Sequence, residues 1–254
     1  MTSGVVRRSL PAMLRRPVPE HPPVVSAGRP TWWAVLIAVA VAALLTLDLL
    51  GHGLTERVDH RVSDQVAEWG LRDSAAYQPL WLVTQIGGRG TMLLVLACLV
   101  GWLLVRYRTV VPLLRVVLAL VLLSVVVYQL KWGIGRTAPA FAGGQFLHHP
   151  DGESFPSGHV ANAVLLWGVA RWQAVEFGLP ARAQRILWFF AVVGPVLCGL
   201  AMIVLNFHWV SDAVAGAAVG VVLLGVVHAV DALVLSRWVG AAPRRSDHGG
   251  PASP

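Results

Sequence analysis

Three short polar clusters hold the side chains best suited to chemistry: residues 131–136, 155–159 and 208–212. Each cluster lies at the edge of a long apolar stretch, although the three are far apart in the chain. Together they supply imidazole, carboxylate and ammonium groups. This combination suits reactions of phosphate esters, because an imidazole can attack phosphorus or move a proton while cations hold the phosphate oxygens.

The middle cluster has the composition of a helix start. Ser157 can cap the first turn, and Gly158 lets the backbone approach an anion closely. The free N–H groups and the positive end of the helix dipole favour phosphate at this position. His159 would lie in the first turn, beside the bound group.

The other two clusters supply a nucleophile and a cation. His208 and Asp212 are four residues apart, so on a helix they would share a face. A carboxylate there can hold the imidazole in one tautomer and make its free nitrogen a better nucleophile. Lys131, the single lysine, offers a flexible charge for phosphate oxygens. Taken singly, each residue has an ordinary structural explanation; their coincidence favours a site.

The composition indicates that these clusters are held by a membrane protein. Of the 254 residues, 56% are hydrophobic and 13% are charged, and the mean hydropathy is +0.65. A net charge of +7 in a soluble protein would suggest nucleic acid. Here the basic residues form short clusters between apolar stretches, which indicates a topology signal and no nucleic-acid partner.

Six apolar stretches are candidates for membrane spans, since about 20 residues cross a bilayer. They are Trp32–Leu50, a second with its core at 91–105 that begins near Leu80, then 110–130, 158–175, 186–205 and 210–235. The fourth is the weakest, because Asn162 and Arg171 interrupt it. The sequence therefore predicts an all-α, six-helix membrane bundle.

The distribution of basic residues predicts the orientation of this bundle. With the N-terminus inside, the cytoplasmic segments hold 14 basic residues and the outer segments hold 6. The excess has the expected sign at every loop. Both termini are thus predicted to be cytoplasmic, and all three polar clusters fall at the outer, extracytoplasmic end.

The remaining segments divide the chain into a membrane domain, residues 31–238, and two tails, residues 1–30 and 239–254. The tails are rich in Arg and Pro or in small polar residues, which predicts disorder. The first outer loop carries alternating charges, with Val58, Val62, Val66 and Trp69 at helical spacing. It is predicted to form an amphipathic helix on the outer surface.

The three clusters resemble the motifs of the type-2 phosphatidic acid phosphatase superfamily, which also includes the vanadium haloperoxidases. The family pattern is K-x6-R-P, then P-S-G-H, then S-R-x5-H-x3-D, and the matching stretch runs from Lys131 to Asp212. The resemblance implies that His208 attacks phosphorus, that Asp212 orients it, and that His159 protonates the leaving group and then activates water. It also implies that Lys131, Ser157 and Gly158 hold the phosphate, and that no metal or other cofactor is used.

The sequence departs from the family pattern at both phosphate-clamping arginines. Ala138 stands where the first motif has Arg, and Ala201 and Met202 replace the Ser-Arg of the third. Two uncompensated losses would cripple a phosphatase, because one preorganised donor is worth about 10²–10³ in rate. Arg136 and Arg89 are the candidate substitutes, and both are predicted to bind substrate phosphate.

The predicted function is a lipid phosphatase of the bacterial plasma membrane, with its active site facing the extracytoplasmic side. It would hydrolyse a lipid phosphate or diphosphate such as phosphatidic acid, phosphatidylglycerol phosphate or a polyprenyl diphosphate. Two alternatives remain: a lipid phosphotransferase with an alcohol acceptor, and a non-catalytic protein that binds lipid phosphates. His148, His149 and Asp151 could bind metal, but nothing completes a ligand set, and no metal site is predicted. The sequence does not define the oligomeric state.

Overall fold

Eight helices form the regular structure of residues 29–140 and 153–235, the part of the chain that the computed structural model describes. They are α1 (Trp32–Leu50), α2 (Leu54–Glu68), α3 (Tyr77–Thr84), α4 (Arg89–Tyr107), α5 (Val111–Ile134), α6 (Gly158–Glu176), α7 (Ala181–Val204) and α8 (Val210–Val230), with a 3₁₀ turn at Leu71–Asp73 and a π turn at Asp231–Leu235. The predicted all-α class is confirmed. The predicted tails lie outside the described residues, apart from Arg29 and Pro30.

Helices α1, α4, α5, α7 and α8 are long and apolar enough to cross a bilayer. A helix of 19 residues such as α1 rises about 28 Å, close to the thickness of the hydrocarbon layer. Large apolar side chains, among them Leu44, Leu94 and Val105, are exposed on these helices. Such exposure suits a surface that meets lipid, and the chain is an integral membrane protein.

Helix α6 lies at the centre of the bundle, which explains why its sequence is the least typical of a span. It packs against α4, α5, α7 and α8, and most of its side chains are buried. A helix surrounded by other helices does not need a lipid-facing apolar surface. It can therefore carry Asn162 and Gln173, both of which are buried.

The second predicted span is two helices, and here the prediction of one continuous helix is wrong. Helix α3 ends at Thr84 and α4 begins at Arg89. Side chains of α6 satisfy carbonyl groups in this break: Asn162 Nδ2 donates to the Gly87 oxygen at 3.0 Å, and Trp167 Nε1 donates to the Ile86 oxygen at 2.9 Å. Irregular backbone at membrane depth requires such partners.

Two glycines of α8 set its distance from α6. A Cβ atom at Gly216 would lie 2.5 Å from the Ser157 carbonyl oxygen, and one at Gly220 would lie 2.7 Å from Cβ of Val164. These contacts hold the start of α6 against the first turns of α8. The Gly216–Gly220 pair, which the sequence predicts to serve helix packing, does so inside the bundle.

Helix α2 is the predicted amphipathic helix, but it docks through polar groups. Its fully buried side chains are Asp59 and Val66, while Val58 and Trp69 are about half exposed. Ser63 Oγ also donates to Asn206 Oδ1 at 2.9 Å in the α7–α8 connection. The face of α2 that meets the bundle is therefore centred on Asp59.

The opposite end of the bundle is held by a buried ion-pair cluster. Arg115 of α5 has no exposed side-chain surface and pairs with Asp231 at 2.9 Å and Glu176 at 3.0 Å. Its guanidinium also lies 3.9 Å from the centre of the Trp172 ring. Arg115, which the topology count assigns to a cytoplasmic segment, is thus an interior residue that ties three helices together.

Candidate active site

The three polar clusters meet around one cavity of about 330 Å³ at one end of the bundle. Lys131 comes from the end of α5, Gly158 and His159 from the start of α6, and His208 from the α7–α8 connection. The complete lining consists of Lys131, Thr137, Ala138, Glu153, Ser154, Gly158, His159, Phe207 and His208. Of the predicted site residues, Asp212 and Ser157 lie behind this wall and are fully buried.

The start of α6 forms the floor for an anion. Ser157 caps the helix by accepting from the Val160 N–H, and its own N–H donates to the Asp212 carbonyl oxygen at 2.9 Å. The backbone N–H groups of Gly158 and His159 have no acceptor among the described residues. Two free donors at a helix N-terminus, facing a cavity that also holds Lys131, are suited to phosphate oxygens.

His208 and Asp212 interact, but not as neighbours on one helical face. His208 precedes α8, which begins at Val210, and Asp212 lies in the first turn of that helix. The Asp212 carboxylate folds back over the helix start: Oδ2 accepts from the Trp209 N–H at 3.0 Å and from His208 Nδ1 at 3.3 Å. The expectation of a shared helical face is corrected accordingly, because the helix N-terminus supplies the geometry.

This contact fixes the tautomer of His208. With Nδ1 carrying its proton toward Asp212, the lone pair is left on Nε2, at the other edge of the ring. The His208 side chain is 12% exposed and lines the cavity. An oriented imidazole with a buried carboxylate behind it is the arrangement of an activated nitrogen nucleophile or base.

Several residues that support His208 are absent from the sequence predictions. Ser154 Oγ donates a short hydrogen bond to Asp212 Oδ2 and lies 3.4 Å from His208 Nδ1. Arg72 binds the carbonyl oxygens of Leu205 at 2.7 Å and Asn206 at 3.2 Å. Its sequence position in a loop of alternating charge gives no sign of this role. Hydrogen bonds from Arg72 thus hold the α7–α8 connection, which carries His208.

Arg136 occupies a position different from the predicted phosphate contact. Its side chain has no exposed surface and does not line the cavity. Nη1 donates to Asp212 Oδ1 at 2.7 Å and to Ser211 Oγ at 2.6 Å, and Nη2 donates to Asp59 Oδ2 at 2.7 Å. With both terminal nitrogens held by protein carboxylates, the guanidinium supports Asp212 from behind and is not available to substrate.

The two positions that lack the family arginines differ in location. Ala138 lines the cavity directly, whereas Met202 is buried and its carbonyl oxygen accepts from the Phe207 N–H at 2.9 Å. Arg89 begins α4, is exposed, and is near enough to His159 to interact electrostatically. Its predicted contact with substrate stays a prediction.

Lys131 is the cation that lines the cavity among the described residues. Its Nζ donates to the Glu153 carbonyl oxygen, which holds the ammonium group at the wall next to the start of α6. A Cβ atom placed on Gly158 would lie 4.0 Å from Lys131 Cε. The loop candidates for metal binding, His148, His149 and Asp151, lie outside the described residues.

Fold and site together define a class: an integral membrane protein of helices with a histidine–aspartate site built at one end of the bundle. Comparison with known proteins shows which proteins the chain is similar to. Residues 112–234 match the PAP2 superfamily. Over 104 residues the chain is 34% identical to phosphatidylglycerophosphatase B of Bacillus subtilis (strain 168). The aligned stretch covers 40% of this chain and 49% of that relative.

The chain thus spans about half of the length of this curated relative. A solved structure of a transmembrane PAP2-type phosphatidylglycerolphosphate phosphatase from Bacillus subtilis superposes with a TM-score of 0.58 at 20% identity, covering 79% of this chain and 95% of that one. The bundle therefore has the fold of that structure. The segment that matches the PAP2 superfamily, residues 112–234, holds all three polar clusters.

Proposed function

We propose that this protein is a membrane lipid phosphatase that hydrolyses a lipid phosphate or diphosphate through a phosphohistidine intermediate. The observation that carries the proposal is the convergence of His208, His159, Lys131 and the free N-terminus of α6 on one cavity. These groups supply a nucleophile, a proton donor and an anion-binding floor. The 34% identity of this chain to a curated phosphatidylglycerophosphatase over 104 residues supports a phosphatase.

The reaction follows from this arrangement in two steps. His208 Nε2 attacks phosphorus while the bond to the lipid oxygen breaks, and His159 gives that oxygen a proton. Asp212 balances the positive charge that the phosphorylated imidazole carries. A water molecule, losing its proton to His159, then attacks phosphorus; the P–N bond breaks, inorganic phosphate leaves and His208 is restored. Lys131 and the Gly158 N–H hold phosphate oxygens throughout.

A neighbouring apolar groove favours a lipid as the substrate. The groove has a volume of about 400 Å³ and is lined by Ala42, Ala43, Thr46, Leu47, Leu130, Phe155, Ala215 and Val219. It lies between α1, α5 and α8. Leu130 and Phe155 are the chain neighbours of Lys131 and Ser154, which line the phosphate cavity. A lipid with its phosphate in the cavity could therefore place an acyl or prenyl chain in the groove.

Filling this groove should weaken lipid binding without harming the chemistry. The variant Ala43→Leu is expected to raise KM for a long-chain phosphatidic acid several-fold, because three added carbons occupy space that the tail needs. The rate of hydrolysis of a short, water-soluble phosphate ester should stay unchanged. The matched control is Ala40→Leu, on the exposed part of α1 outside the groove. Equal KM values in the two variants would contradict a tail-binding role.

A methyl group at Gly158 should test the phosphate-binding floor. A Cβ atom there meets only ordinary contacts, Val127 Cγ1 at 3.9 Å and Lys131 Cε at 4.0 Å, so Gly158→Ala should fold normally. The methyl group would nevertheless keep phosphate oxygens away from the free N–H groups. Losing one charge-assisted hydrogen bond costs about 1.5–3 kcal/mol, so kcat/KM should fall roughly ten- to a hundredfold. Gly133→Ala, which meets no atom within 4 Å, is the control.

The central experiment is a screen for phosphate release from a panel of lipid phosphates in detergent, without added metal and with a chelator. Quenching during turnover in alkaline denaturant should trap phosphate on His208 as a phosphoramidate, which is stable in base and labile in acid. Wild-type inactivity across the panel, with no trapped phosphohistidine, would refute the hydrolase. If binding alone occurs, affinity should fall in Lys131→Ala and be indifferent to His208→Ala.

One observation favours a phosphotransferase as the second candidate. The described cavity wall holds Lys131 but no arginine, and Glu153 lies at the same wall. A carboxylate beside the phosphate weakens the hold on a doubly charged monoester, and it can accept a hydrogen bond from the hydroxyl group of an acceptor. A phosphotransferase would release little inorganic phosphate until an alcohol acceptor is added, and the product would then carry the phosphoryl group.

A further inference from the structure

The Asp212 carboxylate is fully buried and therefore needs a counter-charge in addition to its hydrogen bonds. Its Oδ2 atom accepts from Ser154, the Trp209 N–H and His208. Its Oδ1 atom contacts Arg136 at 2.7 Å. Arg136 alone would cancel the charge that Asp212 presents to His208.

A second carboxylate restores that charge. Asp59 of α2 is 2% exposed, and its Oδ2 accepts from Arg136 Nη2 at 2.7 Å. Ser211 joins the same group: its N–H donates to Asp59 Oδ1 at 3.0 Å and its hydroxyl donates to Oδ2. A buried row therefore runs from α2 to the reacting imidazole: Asp59, Arg136, Asp212 and His208.

The charges in this row alternate. Asp59, Arg136 and Asp212 are negative, positive and negative, so the three sum to one negative charge facing His208. In a site of low dielectric this charge matters most when the imidazole becomes positive, as it does on phosphorylation. With Asp59 neutral, the sum would be zero, and the phosphorylated imidazole would lose its balancing charge.

We propose that Asp59 is a positioning residue of the hydrolase, acting through Arg136 to maintain the negative charge that Asp212 presents to His208. The inference rests on the proposed function and adds to it a role for α2. Asp59 touches neither the cavity nor the substrate. It acts on the step in which charge develops, so it should affect kcat and leave KM nearly unchanged.

The first test compares Asp59→Asn with Asp59→Glu. Asparagine has the shape of aspartate without its charge, and glutamate has the charge without the shape. If Asp59 acts by its charge, Asp59→Asn should lower kcat about ten- to a hundredfold, as supporting partners of polar sites do, and Asp59→Glu should retain more activity. A purely structural role predicts the reverse order. Asp64→Asn, an exposed aspartate on the same helix, is the control.

A double-mutant cycle gives a readout that packing alone would not move. In an Asp212→Asn background the pathway from Asp59 to His208 is already broken, so adding Asp59→Asn should change kcat little. Independent, multiplying effects would overturn the proposal. So would an Asp59→Asn protein that does not fold, or one as active as Asp64→Asn. Absence of turnover in the wild-type protein would instead refute the proposed function, and with it this role.

Discussion

Replacing His208 with alanine should lower phosphate release from the best lipid substrate by at least about a thousandfold, because the variant has no group to form the covalent intermediate. The imidazole is held by Asp212 and the cavity is otherwise unchanged by the truncation, so substrate binding should persist. The measurement is steady-state phosphate release in detergent, combined with a binding assay for the same lipid. An acid quench would be the wrong way to detect the intermediate, because a phosphoramidate is acid-labile.

The control is His52→Ala, which removes an imidazole that is 71% exposed and bonded to Glu56. It should leave the rate unchanged. Asp212→Asn should also reduce kcat, and combining it with His208→Ala should add little, because the carboxylate acts through the imidazole. Substantial phosphate release by His208→Ala would contradict the assignment of His208 as nucleophile and would direct attention to His159.

Much of this architecture follows from local features of the sequence. The apolar stretches predict the six long helices in their correct order, and the first predicted span, Trp32–Leu50, coincides with α1. The Pro-Ser-Gly-His sequence predicts the start of α6, which begins at Gly158. Both signals are local, since hydrophobic length and helix capping act within a few residues.

What the sequence could not provide are contacts between distant segments. Asp59 is one of six charged residues in α2, and only the fold reveals that it is the one that meets Arg136. Its spacing from Val62 and Val66 places it on the apolar stripe of α2, which is the single signal that could have identified it. The nearness of Arg136 in sequence to position 138 predicts a phosphate contact, whereas in the fold Arg136 pairs with the buried carboxylates of Asp212 and Asp59.

The break between α3 and α4 is not evident from the sequence for a similar reason. A pair of glycines in an apolar stretch is compatible with a continuous helix, and the partners that stabilise the break, Asn162 and Trp167, lie on α6. This break brings the Gly87 backbone against that of His159. A Cβ atom at Gly87 would lie 2.2 Å from the His159 carbonyl oxygen and 2.9 Å from Cys198 Sγ.

The variant Gly87→Ala should therefore damage both stability and catalysis. The obstructing atom at 2.2 Å is backbone and cannot turn aside, so α6 must move at the position that carries the proton donor. Overpacking of this kind costs about 1–3 kcal/mol, which thermal unfolding in detergent should register as a lower Tm. A displacement of about 1 Å at a reacting group can cost about a hundredfold in rate.

Gly90→Ala is the matched control, because a Cβ atom there meets nothing within 4 Å and the residue lies inside α4. It should keep wild-type activity and gain slightly in stability, since alanine favours a helix over glycine. The two variants add the same methyl group three residues apart, so a difference between them reports on the contact with His159. If Gly87→Ala matched Gly90→Ala in both Tm and kcat, the close approach of the α3–α4 break to His159 would be refuted.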